Sequence, residues 1–435
     1  MGSEWQTSKL GDVIAINPSR SLAKGSDSVY ISMQQVETAK RFINEIDHRA
    51  FKGSGARFQN GDTLLARITP CLENGKTAYV DFLEEEEVAH GSTEFIVLSG
   101  IESVTDELFV YYLSRTPEFR NYAIARMEGS SGRQRVPAST LKKYTFPCPP
   151  YEEQRAIAHI LGTLDDKIEL NRQMNQTLEA MARAIFKSWF VDFDPVRARR
   201  GELPYDLNLP PDILNLFPDR FCDSELGEIP EGWSARSLYD SAKYINGAAY
   251  KNVHFTDEAG ALPVIKIAEL KNGVTGQTKF TKTELDDKYR IGDGEILLSW
   301  SGNPDTSIGT FVWCGGLAWL NQHIFRVLPH QETERHFIFY LLKYLRPVFA
   351  EIARDKQTTG LGHFTARDMK QLMVVHPPEN ILNVFNDSAG PMFNLWYDNL
   401  IESNTLTSLR DALLPKIISG ELRVPDAEKI LEEIL

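Results

Sequence analysis

The chain has little that would serve a membrane, a disulfide framework or a metal. No apolar run among its 435 residues approaches the stretch of about 18 needed to cross a bilayer. Its four cysteines, Cys71, Cys148, Cys222 and Cys314, lie far apart, with no CxxC pair and no Cys/His cluster at metal-ligand spacing. That usage fits a reduced cytosolic protein. Nine histidines are scattered and form no HExxH. The opening MGSEWQTSKLGD reads as no secretion signal. The expectation is a soluble, cytoplasmic chain with no membrane association and no metal of its own.

The motifs of nucleotide and methyl-transfer chemistry are incomplete. Gly75-Lys76-Thr77 looks like the end of a P-loop, but Pro70 stands where the first glycine belongs. Cys148-Pro149-Pro150-Tyr151 resembles the Asp/Asn-Pro-Pro-Tyr of amino-methyltransferases. A cysteine in the first place offers no carbonyl acceptor to a target amino group, and no glycine-rich cofactor loop precedes it. Asp257 with Glu269-Leu-Lys271 is too short a pattern to define a nuclease metal site. Catalysis by the chain alone is therefore not expected.

Net positive charge is also missing. The chain carries −13 overall, which looks wrong for a nucleic-acid binder. The distribution alters that reading. Residues 1–150 hold 17 Lys+Arg and 19 Asp+Glu, and residues 233–378 hold 17 and 15, so these segments stand at −2 and +2. The acid lies in the remaining helical, linker and tail regions. The balance permits DNA binding without arguing for it.

What the sequence does contain is a long proline-free stretch. After Pro149-Pro150 no proline occurs until Pro195. Between them Ile157, Leu161, Leu164, Ile168, Asn171, Asn175, Leu178, Ala182, Ile185 and Trp189 recur in alternating steps of four and three, a heptad seam. A helix that long needs a partner helix, and the central asparagines read as register devices. The partner lies 228 residues downstream, where Pro377-Pro378 repeats the proline pair. Ile157 maps to Phe385, Leu164 to Met392, Ile168 to Trp396, Asn171 to Asn399, Leu178 to Leu406 and Ile185 to Leu413. Ser403 and Arg410 interrupt this second seam.

The rest of the chain is duplicated at the same offset. The first module contains short strand-like segments (Tyr30–Met33, Thr63–Ile68, Thr77–Val80, Glu94–Leu98) separated by the turn signals Asn60-Gly61-Asp62, Asn74-Gly75 and His90-Gly91. A helix is expected over Asp106–Met127, then a polar, basic loop, Glu128-Gly-Ser-Ser-Gly-Arg-Gln-Arg-Val136, then a strand over Leu141–Pro147. The second module repeats this. Trp233 matches Trp5, Gly292-Asp-Gly-Glu-Ile-Leu-Leu matches Gly61-Asp-Thr-Leu-Leu, and Arg135 maps to His363. Lys76 faces the stretch Pro304–Ser307. The scaffold is kept while exposed polar residues diverge. Six prolines mark residues 191–232 as a linker, and its basic knot Arg197-Ala-Arg-Arg200 reads either as a nucleic-acid contact or as a solvated linker segment.

Two β-rich modules alternating with two similar long helices, each entered through Pro-Pro, resemble the specificity subunit of type I restriction–modification enzymes. Pro149-Pro150-Tyr-Glu-Glu-Gln154-Arg155-Ala-Ile157-Ala resembles that family's first spacer region, and Leu413-Leu414-Pro-Lys-Ile-Ile-Ser-Gly420-Glu421-Leu422 resembles the close of its second. The loop ending in Arg133-Gln134-Arg135 is similar to those of its target-recognition domains. Glu379-Asn-Ile-Leu382 departs from the family pattern by lacking Glu-Gln-Arg.

The resemblance implies an α+β fold: two pseudo-symmetric mixed α/β target-recognition domains joined by two long antiparallel helices forming a coiled coil. The expected segments are a first recognition domain at 1–150, a first spacer helix at 151–190, a linker at 191–232, a second recognition domain at 233–378, a second spacer helix at 379–418 and a tail at 419–435. It also implies double-stranded DNA as the ligand, one half-site per domain. Two methyltransferase subunits would dock on the helices, with motor/nuclease subunits added to that core. S-adenosylmethionine, ATP and Mg²⁺ would belong to those partners, with no cofactor in this chain.

Base edges are read by Arg, Lys, Asn, Gln, Ser and Thr. The candidates are therefore Arg67, Lys76, Arg133, Gln134 and Arg135 in the first domain, and Ser299, Trp300, Thr358, Thr359 and His363 in the second. A coiled-coil scaffold that does not touch DNA, and a methyltransferase or nuclease with a degenerate site, are the alternatives.

Overall fold

The computed structural model describes residues 5–130, 132–203, 209–357 and 361–433. The chain divides into two compact units, Met1–Asn171 with Glu402–Leu435, and Arg172–Ile401. The division falls inside both long helices rather than at their ends. Each half-helix is built into the core of one domain, so cores and spacers are not separate bodies.

In the first unit, one antiparallel sheet has the order Ile14–Ile16, Phe95–Gly100, Thr63–Ala66, Thr77–Tyr79. A second runs Asp47–Ala50, Asp27–Ile31, Ala89–Gly91, Ala56–Phe58, with its two central strands parallel. Gln6–Lys9 pairs with Thr145–Cys148 just before the first long helix. The second unit repeats all three arrangements. Lys243–Asn246, Ile324–Leu328, Ile296–Ser299 and Gly309–Val312 form the first sheet. Phe280–Thr281, Leu262–Ile265, Ala318–Leu320 and Arg290–Ile291 form the second, again parallel at its centre. Ser234–Ser237 pairs with Met373–His376. The duplication read from the sequence is thus a duplication of strand order and direction.

Register refines the alignment. Leu64 lies opposite Val97 and Leu297 opposite Arg326, which aligns Gly61 with Gly294 rather than Gly292. Both glycines turn with positive φ, +87° and +84°, a conformation that suits glycine. Leu65 pairs with Thr77 and Leu298 with Thr310, so the counterpart of Lys76 is Gly309, not Pro304–Ser307.

Other expectations change locally. His90-Gly91 is not a turn but part of strand Ala89–Gly91, where the buried His90 ring meets the Ser28 hydroxyl at 3.0 Å. The helix expected over Asp106–Met127 is two helices, Glu107–Arg115 and Pro117–Ile124. Pro117 starts the second, where its missing N–H is not needed, and Thr116 caps it by accepting from the Phe119 amide at 3.3 Å. Leu141 ends a short helix, Ala138–Leu141, and the following strand is Thr145–Cys148.

The long helices run Tyr151–Phe190 and Glu379–Ser419. The second continues through Pro391 and Pro415. An interior proline costs roughly 3 kcal/mol, and burial of Phe385, Phe393, Leu413, Leu414 and Ile417 offsets it at about 1.5–3 kcal/mol each. Ile157, Leu161, Leu164, Asn171, Asn175, Ala182 and Trp189 are buried as the heptad pattern requires. Ile168, Leu178 and Ile185 are only half-buried, as are Met392 and Trp396, whereas Asn399, Leu406 and Leu413 are buried.

Ala158, Ile160, Phe186 and Phe190, off the seam, are buried as well. The apolar stripe widens because each helix end packs on a domain as well as on its partner helix. In the second unit Phe186 and Phe190 meet Phe337 and Phe385 with ring centroids 5.0–6.2 Å apart.

Between those ends the seam is polar. In the first unit Arg410 donates to Asp165 at 2.5 Å, and the Asn171 amide donates to Glu402 at 2.6 Å and to Ser403 at 3.4 Å. In the second, Asn399 donates to Asn175 at 2.9 Å and Asn175 to the Trp396 carbonyl at 3.0 Å. Within each unit rising numbers on one helix meet falling numbers on the other, the antiparallel arrangement. Ser403 and Arg410, the interruptions of the second seam, are the partners of polar groups on the first.

The departure at Leu382 also has an internal cause. Its counterpart Gln154 is fully buried. The Gln154 amide donates to the carbonyls of Pro149 and Val104 at 2.9 and 3.1 Å and accepts from the Asp106 amide at 3.0 Å. The second copy replaces this set with a buried His376–Glu334 contact of 3.0 Å and a buried Leu382. The two helix starts therefore differ inside the domain.

Candidate nucleic-acid interface

In the first domain the strand Thr63–Ala66 ends beside the basic loop. The Arg67 amide donates to the Glu94 carbonyl at 2.9 Å, and the Val136 amide donates to the Arg67 carbonyl at 2.9 Å. Ile68 bridges Arg135 across the same gap, and Arg135 also bridges Glu128 at the loop's start. Gln134 is fixed by its backbone: its carbonyl accepts from the Thr69 amide at 3.0 Å and its amide donates to the Thr69 hydroxyl at 3.1 Å. Arg133 is exposed. Arg135 donates through Nε and Nη2 to the Glu94 carboxylate at 2.6–3.0 Å, and through Nη1 to the Arg133 carbonyl at 3.2 Å. The Glu94 contact holds the Arg135 pKa above its ordinary value. Lys76 is half-buried, with Nζ donating to the Met33 carbonyl at 2.8 Å.

The second domain repeats the backbone and changes the chemistry. The Trp300 amide donates to the His323 carbonyl at 3.3 Å, and the Phe364 amide to the Trp300 carbonyl at 2.8 Å. Ser301 pairs with His363. Trp300, His323 and His363 thus take the places of Arg67, Glu94 and Arg135. The Trp300 ring lies 5.5 Å from His323 and 5.8 Å from His363, and its Nε1 donates to Asn246 at 2.9 Å. His363 Nδ1 meets the Ser301 hydroxyl at 3.0 Å. Burial, with His363 nearby, pushes the His323 pKa down, and the Arg135–Glu94 ion pair of the first domain has no counterpart here. All six residues are half-buried. Arg67 Nε and His323 Nδ1 are buried and lack a hydrogen-bond partner among the described residues.

Most of the sequence candidates gather at these two places, with one correction. Ser299 is fully buried, facing the core from its strand, so it presents nothing to a ligand. Thr358 and Thr359 lie outside the described residues. Glu94 and His323 were missed. Their signal was present, since each stands immediately before a repeated strand at an offset of 229, but neither belongs to a basic loop.

Features that looked like chemistry are structural. Gly75-Lys76-Thr77 leads into a strand, not the helix a P-loop requires. Cys148 ends a strand and lies 3.7 Å from the buried Gln154 amide. Glu269 caps the helix Ile267–Asn272 and accepts from Thr278 at 3.1 Å. In the linker Arg197 and Arg199 hold backbone carbonyls, of Asp192 at 2.9 Å and Asn215 at 3.2 Å, and Arg200 pairs with Glu202 at 3.2 Å. Among the described residues no group of three His, Cys, Asp or Glu side chains could hold a metal, and no helix is long and apolar enough to cross a membrane.

Comparison with known proteins gives the family. The family model described as the type I restriction modification DNA specificity domain matches residues 2–180 and again 230–381. The chain belongs to this family. Each match spans one recognition domain and enters the long helix after it. The chain is 26% identical to the HindI type I restriction enzyme specificity subunit of Haemophilus influenzae, covering 97% of this chain and 100% of that one. It is 28% identical to the MjaIX specificity subunit of Methanocaldococcus jannaschii, covering 96% and 88%. The fold is similar to the crystal structure of a type I restriction–modification S subunit from M. genitalium, with a TM-score of 0.53 at 15% identity over 95% of this chain and 96% of that one. Membership makes the chain a non-catalytic specificity subunit acting in DNA target recognition.

Proposed function

We propose that each recognition domain reads one half of a bipartite DNA target. The first does so around Arg67, Glu94 and Arg133–Arg135, the second around Trp300, His323 and His363. The paired helices keep the unread gap between half-sites constant and dock two methyltransferase subunits, to which motor/nuclease subunits add. S-adenosylmethionine, ATP and Mg²⁺ serve those partners. The observation that carries this reading is that two copies of one backbone frame differ in charge and shape at three equivalent side chains. A frame kept for packing alone would have no reason to place an ion pair in one copy and an aromatic imidazole cluster in the other at a half-exposed edge. Shape held by the frame and letters carried by the side chains is how readers of two different sequences differ.

The test is to assemble the chain with its methyltransferase subunits and S-adenosylmethionine, offer a pool of randomised duplexes, and sequence the methylated products. Two short conserved blocks separated by a fixed unread gap are expected. One continuous block, or methylation without sequence preference, would overturn the reading.

A further inference from the structure

A guanidinium has two hydrogen-bonding edges, and in Arg135 the inner one is taken. Nε and Nη2 grip the Glu94 carboxylate at 2.6–3.0 Å, and one Nη1 hydrogen holds the Arg133 carbonyl at 3.2 Å. The outer edge, one hydrogen on each Nη nitrogen, has no hydrogen-bond partner among the described residues. It is held in a fixed direction by a side chain that is itself anchored, because the Glu94 carbonyl accepts from Arg67 at 2.9 Å and Glu94 directly precedes the strand Phe95–Gly100. An outer guanidinium edge matches the O6 and N7 acceptors of guanine in the major groove. The equivalent place in the second domain has no guanidinium: His323 replaces the carboxylate and His363, held at Nδ1 by Ser301 at 3.0 Å, replaces the arginine.

We propose that Glu94 is a positioning residue that determines specificity, gripping the inner edge of Arg135 so that its outer edge reads one guanine in the half-site of the first domain. This rests on the reading that each domain recognises its own half-site. The second domain, with Trp300, His323 and His363 at the same positions, reads its half-site without that arginine contact. Glu94 acts through Arg135, so the two residues share one base pair.

The test uses the full complex of this chain with its methyltransferase subunits, S-adenosylmethionine and a randomised duplex pool. The wild-type complex comes first: failure to select two blocks would overturn the bipartite reading itself. Given two blocks, Arg135→Ala and Arg135→Lys should each reduce discrimination for guanine at a single position of one block by roughly 5- to 150-fold. Lysine keeps the charge but loses the fork, and it remains informative if the alanine variant folds poorly. Glu94→Ala should relax the same position and no other, and Glu94→Gln, which keeps one acceptor, should recover part of the preference. His323→Ala should leave that block unchanged. A merely structural Glu94 would lower activity on all sequences alike while the preference at the Arg135 position stayed intact. That result overturns the proposal, as do Arg135→Lys and Glu94→Ala changes at different positions.

Discussion

Replacing Arg410 by methionine tests whether the polar centre of the helix pair is held by charge. The Arg410 and Asp165 side chains are 3% and 4% exposed and 2.5 Å apart. Burial works against the Arg410 charge, but Asp165 and Asp411 outweigh it and keep its pKa above the ordinary value. In Arg410→Met, Asp165 keeps the Tyr112 hydroxyl at 2.7 Å and Arg115 at 3.9 Å and loses its closest cation. Removing one partner of a buried pair costs about 3–5 kcal/mol. Because Arg115 remains, the lower end, about 3 kcal/mol, applies. For a unit of this size that corresponds to a midpoint lowered by roughly 6–12 °C. The double variant Asp165→Leu with Arg410→Met removes both charges and should recover most of the loss, since apolar replacements of buried pairs are often neutral. Chemical denaturation of the wild type, Arg410→Met, Asp165→Leu and the double variant gives the coupling energy directly. A loss below about 1 kcal/mol for Arg410→Met, or a double variant no better than the single, would refute the reasoning.

Three further outcomes are expected. Gln154→Leu, which copies Leu382, should destabilise the first unit by about 3 kcal/mol in a denaturation series, because it orphans a buried amide and two carbonyls. Phe186→Ala should cost about 3–5 kcal/mol, read the same way, by opening the aromatic core of the second unit. His90, His323, His336 and His376 are each held below the usual imidazole pKa, chiefly by burial. The unfolded chain therefore takes up their protons first, near pH of about 6.5. Their contribution to stability is present above that pH, falls as pH drops toward the folded values, and is constant below them. Imidazole NMR titration should place all four below about 6.5 in the folded chain; a value above it contradicts the assignment.

The large features were legible because their signals are periodic or punctuated. Pro150 and the heptad steps bound the first long helix at Tyr151, where the structure starts it. The 228-residue offset between Pro149-Pro150 and Pro377-Pro378 announced the duplication of both sheets. Local features that depend on distant partners were not legible. His90-Gly91 looks like a turn until the strand Asp27–Ile31 beside it is known. Ser299 looks like a surface donor until its strand's inward face is known. The seam asparagines pointed to register, but the role of Arg410 needed Asp165, which lies off the a/d positions. At the interface the loop arginines were visible from composition. Glu94 and His323 carry only their repeat offset as a sequence signal, and their places beside Arg67 and Trp300 need the strand pairing.

The most direct test of independent reading is genome-wide methylation mapping of a host carrying either the natural chain or Arg133→Ala/Gln134→Ala/Arg135→Ala. The account predicts that one half of the methylated sequence loses its definition while the other half and the gap between them are unchanged. If both halves relax together, or if neither does, the two domains are not separate readers and the account is wrong.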